Sequence, residues 1–121
     1  MDYKFDDNVP IYLQIIQLLK TDIIAGKYQP NDKLPPVRDL AEYYGVNPNT
    51  VQRAYSELER EEIVVSDRTN GRYVSSDKKQ IKKMLETLSK QYIDELFNKL
   101  NQLGLSDEQI IKQISKGRNK K

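Results

Sequence analysis

The segment Asn47-Pro48-Asn49-Thr50-Val51-Gln52-Arg53 gathers three amides, a hydroxyl and a guanidinium within seven residues. Such groups donate to and accept from base edges, and they also suit phosphate oxygens. Bond-breaking chemistry has no comparable cluster. The chain has no histidine and no cysteine. That removes the commonest general base near neutral pH, the thiolate nucleophile and the nitrogen and sulfur metal ligands. Its carboxylates mostly alternate with Lys and Arg, as on solvated helix faces. No catalytic residue, metal site or cofactor is expected, and the chemistry on offer is recognition.

Presenting that segment requires a helix buried on its opposite face. Asn47 is placed to cap free backbone N–H groups, and Pro48 falls where its missing donor costs nothing. Val51, Ala54, Tyr55 and Leu58 recur at helical spacing and predict the buried stripe, leaving Asn49, Thr50, Gln52, Arg53 and Ser56 outward. Upstream, Leu40, Ala41 and Tyr44 predict a helix near 36–44, and Gly45 the left-handed residue that ends it. Two short helices across a tight turn form a scaffold that holds its second helix in a DNA major groove. An earlier helix is expected from an Asn8 cap, with Pro10 in its first turn, through Ile11, Ile15, Leu18, Leu19 and Ile23 to Gly26. Residues 1–8 read as loose, and KYQPNDKLP as a turn.

After Glu62 the period changes to that of strands. IVVS, then DRTNG, then RYVS predict a β-hairpin, or wing. A long helix follows, with Asp77 and Gln80 spaced as a capping box and Gly104 as its stop; Ser106 and Gln109 open a last helix in the same way. Residues 77–121 thus form a helical region with a basic tail, following a domain over 1–76. The fold class is mainly α with a small β-hairpin.

Composition narrows the setting. Apolar runs are only a few residues long, and the opening MDYKFDDNVP lacks the apolar centre of a secretory signal, so a cytoplasmic protein without membrane partners is expected. The net charge of +2 hides an asymmetry: residues 1–75 carry nine Lys/Arg against twelve Asp/Glu, residues 76–121 eleven against six. Contact with DNA must then come from a local basic face rather than from bulk charge.

The order helix, helix, helix, hairpin, with PIYLQI, AGKYQPNDKLPPVRDLAEYYGV, TVQRAYSELE and GRYV in sequence, resembles the GntR family of bacterial transcription regulators. NPNTVQRAY is the variant of its YtrA-type branch. That resemblance implies a winged helix-turn-helix and a small dimeric repressor, often of a transporter operon, without a large effector domain. No large ligand pocket is expected, and a small-molecule effector at the dimer or interdomain interface is left open. Carried over position by position, it implies DNA contacts from Arg38 at the start of helix two, from Asn47, Asn49, Thr50, Gln52 and Arg53, and from Arg68, Gly71 and Arg72 on the wing. The chain departs from the family at Pro48 and Gln52, where many members have Arg. Glu62 stands where a Gly commonly ends helix three, and Arg72 replaces a neutral wing residue.

Several features have plainer readings. Tyr43, Tyr44, Tyr55 and Tyr73 are spaced for core packing rather than base stacking. Lys78, Lys79, Lys82 and Lys83 repel one another and oppose the helix dipole. They read first as a solvated face and second as phosphate contacts. The apolar stripe of the long helix is too extended for one small domain to cover, so Leu85, Leu88, Tyr92, Leu96, Leu100 and Leu103, with Ile110 and Ile114 of the last helix, are expected to dimerise the chain. A homodimeric repressor of a roughly palindromic double-stranded operator is the leading reading. A winged-helix module that binds protein instead of DNA is the alternative, supported by the acidic balance of residues 1–75.

Overall fold

Apolar side chains at helical spacing in the first sixty positions close around one core, and a hairpin and the start of a long helix seal it. The computed structural model describes residues 3–67 and 71–117. Its elements are α1 (Ile11–Ile24), α2 (Val37–Tyr44), α3 (Pro48–Arg60), β1 (Val64–Asp67), β2 (Gly71–Val74), α4 (Lys78–Gln102) and α5 (Asp107–Gly117). No described helix is long and apolar enough to cross a membrane.

Helices α1 and α2 both pack on α3. Ile15 and Leu19 of α1, Leu40 and Tyr44 of α2, and Val51, Ala54, Tyr55 and Leu58 of α3 are all buried in one cluster. Gly45 ends α2 at φ 70°, and Val46 N–H bonds back to the Ala41 carbonyl at 2.9 Å. That left-handed residue turns the chain from α2 into α3 within three residues.

Three expectations for the chain before α2 need correction. Asn8 does not cap α1. The Gln14 amide reaches back from inside the helix to the Asp6 and Val9 carbonyls, both at 2.8 Å, while Asn8 N–H goes to Asp6 Oδ1. Residues 3–9 are also not loose: Phe5 packs on the core, and Tyr3, Phe5 and Tyr44 form an aromatic cluster with centroids 4.9–6.1 Å apart. Finally, part of the expected turn KYQPNDKLP pairs with β2. Asn31 N–H and Leu34 N–H donate to the Val74 and Arg72 carbonyls, and Lys33 bridges Tyr73. Strands β1 and β2 are antiparallel, with Val64 opposite Val74 and Asp67 opposite Gly71.

The end of α3 carries a local cost. Glu62 sits at φ 63°, a left-handed conformation that side chains with a Cβ disfavour. Glu62→Gly is therefore expected to raise stability by roughly 0.5–1 kcal/mol. A urea midpoint that rises at unchanged slope is the expected result. A midpoint that falls would mean the glutamate side chain offsets its own strain.

The chain divides into two compact units, Met1–Met84 and Leu85–Lys121. The first extends eight residues past Ser76 because Ile81 and Met84 pack on its core and Gln80 Nε2 donates to the Glu61 carbonyl at 3.0 Å. Asp77 caps α4 by accepting from Lys79 N–H, but Gln80, bound to Glu61, does not complete the box. In the second unit Ser106 and Gln109 do form the reciprocal pair, at 2.8 and 3.2 Å. Leu85, Tyr92, Ile93, Leu96 and Leu103 of the α4 segment, and Ile111 and Ile114 of α5, are exposed. Leu100 is half-buried. Leu88 and Ile110 are already buried in the single chain, so neither is open to a partner.

Candidate nucleic-acid interface

The first turn of α3 is built to be seen. Asn47 adopts extended backbone and accepts from Asn49 N–H at 2.8 Å, which uses its carbonyl oxygen as the cap. Pro48 takes the first helical position, and Thr50 N–H bonds the Asn47 carbonyl at 2.9 Å. Asn49, Gln52 and Arg53 are exposed, and Thr50 is half-exposed. Behind them Val51, Ala54, Tyr55 and Leu58 have essentially no exposed surface, so the helix cannot roll without opening the core. Burial holds the Tyr55 phenol well above its usual value. It stays protonated and donates to the Pro35 carbonyl at 2.6 Å, tying α3 to the residues that lead into α2.

Arg38 lies in the first turn of α2, exposed. Arg53 is exposed too but is held: its guanidinium lies 3.8 Å from the centre of the Tyr12 ring, and Nη2 donates to Tyr12 Oη at 3.2 Å. Tyr12 was not singled out by sequence, because nothing local links residues 41 positions apart. The wing differs from expectation in one respect. Arg72 bonds Glu59 Oε1 at 2.7 Å and lies 5.0 Å from the Tyr55 ring centre, with Ser66 Oγ donating to Glu59 Oε2 at 2.6 Å. Its charge is matched by Glu59, so it clamps the hairpin to α3 rather than standing free.

Burial pushes the Glu59 carboxyl up, but the bonds from Ser66 and Arg72 and the charge of Arg72 outweigh this and leave its pKa lowered. The clamp is therefore fully formed at neutral pH and weakens as pH falls through that lowered value. Gly71 has φ 101°, and a Cβ there would stand 3.5 Å from Lys33 Cε. Lys33, exposed beside the wing, is a basic residue that sequence reading missed; its pairing with Tyr73 could not be foreseen. Arg68 lies outside the described residues.

Tyr44 and Tyr55 are core residues, as their spacing implied, whereas Tyr43 is half exposed. Lys78, Lys79, Lys82 and Lys83 are exposed near the C-terminal end of α3, to which Gln80 ties them. The thirteen residues of α3 place that end roughly 20 Å from Asn47.

A polar first turn on a core-locked helix, a preceding helix across a glycine turn and a clamped hairpin together make a winged helix-turn-helix. Bacterial regulatory proteins of the gntR family match residues 11–74, more than half of the chain. The chain belongs to the GntR family. Within it, the chain is 40% identical over 114 residues to the HTH-type transcriptional repressor YtrA of Bacillus subtilis, covering 89% of this chain and 86% of that protein. A GntR family transcriptional regulator from Listeria monocytogenes has the same fold at TM-score 0.85 and 41% identity, covering 93% of this chain and 98% of that one. The AraR(DBD) in complex with operator ORR3 superposes at TM-score 0.54 and 25% identity, over 62% of this chain and 88% of that one.

Proposed function

We propose that the chain is a homodimeric repressor that binds a two-fold-related DNA operator through α3. The observation that carries this reading is the polar first turn of α3, exposed while the rest of the helix is locked in the core. The repressor name of the Bacillus relative and the operator-bound state of the AraR domain support it. In this reading Arg38, Asn49, Thr50 and Gln52 meet base edges, Asn47 positions the helix, and Lys33, Gly71 and Arg68 bring the wing to the backbone. Arg72 acts indirectly, by fixing the wing through Glu59.

Dimerisation is supported by the apolar face of Leu85, Tyr92, Ile93, Leu96 and Leu103, which would otherwise remain in water. The four lysines at 78, 79, 82 and 83 fall outside the proposed contact, because α3 enters the groove by its opposite end.

Arg38 tests the reading cleanly, since it is exposed and no core contact depends on it. With a duplex selected by the protein from a random-sequence pool, Arg38→Ala should weaken binding by about 1–3 kcal/mol, the range for loss of a base-edge contact. Fluorescence anisotropy measures this, and circular dichroism should be unchanged. Wild-type affinity in the variant would remove α2 from the reading face.

A further inference from the structure

Tyr12 is half-buried with its ring against the core, but core packing does not account for the exposed Arg53 stacked upon it. We infer that Tyr12 and Arg53 form a phosphate clamp on the DNA backbone, an inference that rests on α3 being the recognition helix. Tyr12 Oη accepts from Arg53 Nη2, so its own proton is free to donate outward, and the guanidinium keeps further N–H groups. The pair thus offers donors and has already used the phenol lone pair that faces Arg53. A phosphate oxygen only accepts and so matches this donor pair, as the acceptor edges of guanine and thymine also do and the donor edge of cytosine does not.

Position points the same way. Tyr12 is the second residue of α1, where the helix dipole favours an anion, and the first turn of α1 contains no acidic residue. It also lies on a helix beside α3 rather than on α3 itself, as suits the backbone ridge more than the groove floor. Stacking holds a long side chain in place before DNA arrives, so less ordering remains to be done on binding. Arg53 then positions α3 without specifying sequence.

The test compares the full chain with Arg53→Gln, Tyr12→Phe and Tyr12→Leu, each titrated at several salt concentrations. Two probes are used: the pool-selected duplex and a shuffled duplex of the same length. Arg53→Gln should lose affinity by the same factor on both duplexes and flatten the slope of log affinity against log salt by about 0.9. Tyr12→Leu, which removes platform and hydroxyl, should also weaken both duplexes equally. Tyr12→Phe should show a smaller equal loss at unchanged slope. It keeps the ring and serves as the measurement if the leucine variant does not fold.

A loss by Arg53→Gln confined to the selected duplex, with the slope unmoved, would make Arg53 a base reader and overturn the clamp while leaving the DNA-binding reading intact. Tyr12→Phe binding both duplexes like wild type would remove Tyr12 from the clamp. Wild type binding neither duplex would overturn the DNA-binding reading and the clamp with it.

Discussion

Tyr92→Glu combined with Leu96→Glu is expected to give a folded monomer whose affinity for a duplex with two half-sites falls by about 10²–10⁴-fold. Both side chains are roughly half exposed on α4, at 48% and 42%, so the single chain loses little when they change. Glutamate is also a good helix former, and α4 itself should persist. What is lost is the second chain's contribution. Once one domain of a dimer is bound, the other meets its half-site at high effective concentration, and a monomer has no such advantage. Sedimentation velocity should show the change in mass, and affinity for a single half-site should be unaltered. A dimer persisting in the double variant would move the interface off this face of α4.

Leu58→Ala should cost roughly 2–5 kcal/mol of stability, a large part of the roughly 5–15 kcal/mol that holds an ordinary domain folded. Leu58 is fully buried among residues of α1, α2 and the hairpin, so truncation leaves a cavity that the surrounding elements cannot readily close. The expected signature is a lower denaturant midpoint with DNA contacts otherwise present, the reverse of Arg38→Ala, which spares folding and weakens binding. A stability change below about 1 kcal/mol would mean that the core relaxes around the gap.

How much of this was legible in the residues follows from the range of each interaction. The Asn47 cap with Pro48 behind it, the left-handed Gly45 and the Ser106–Gln109 box depend on neighbours within a turn, and the structure bears each of them out. The buried stripe of α3 was legible because helical period alone places Val51, Ala54, Tyr55 and Leu58 on one face. Pairings distant in sequence were not legible. Residues 31–34 joining β2 depend on a partner some forty positions away, and no local pattern marks KYQPNDKLP as part of a sheet. Gln80 was spaced for a local cap but found the Glu61 carbonyl instead.

The site shows the same division. Arg38, Asn49 and Gln52 stand exposed where helix period places them. Arg53 and Arg72, which composition alone would treat as free cations, are committed to Tyr12 and to Glu59. Leu88 and Ile110 match the apolar period of their helices equally well, yet the single chain buries them, because periodicity reports a face and not what covers it.

Selection of duplexes from a random-sequence pool by the full-length wild-type chain tests the central claim most directly. The account predicts enrichment of an inverted repeat, with half-site centres about one or two helical turns apart, bound by two chains per duplex. A pool that enriches no sequence, or a chain that retains no duplex at low salt, would contradict it and favour a winged helix whose partner is another protein.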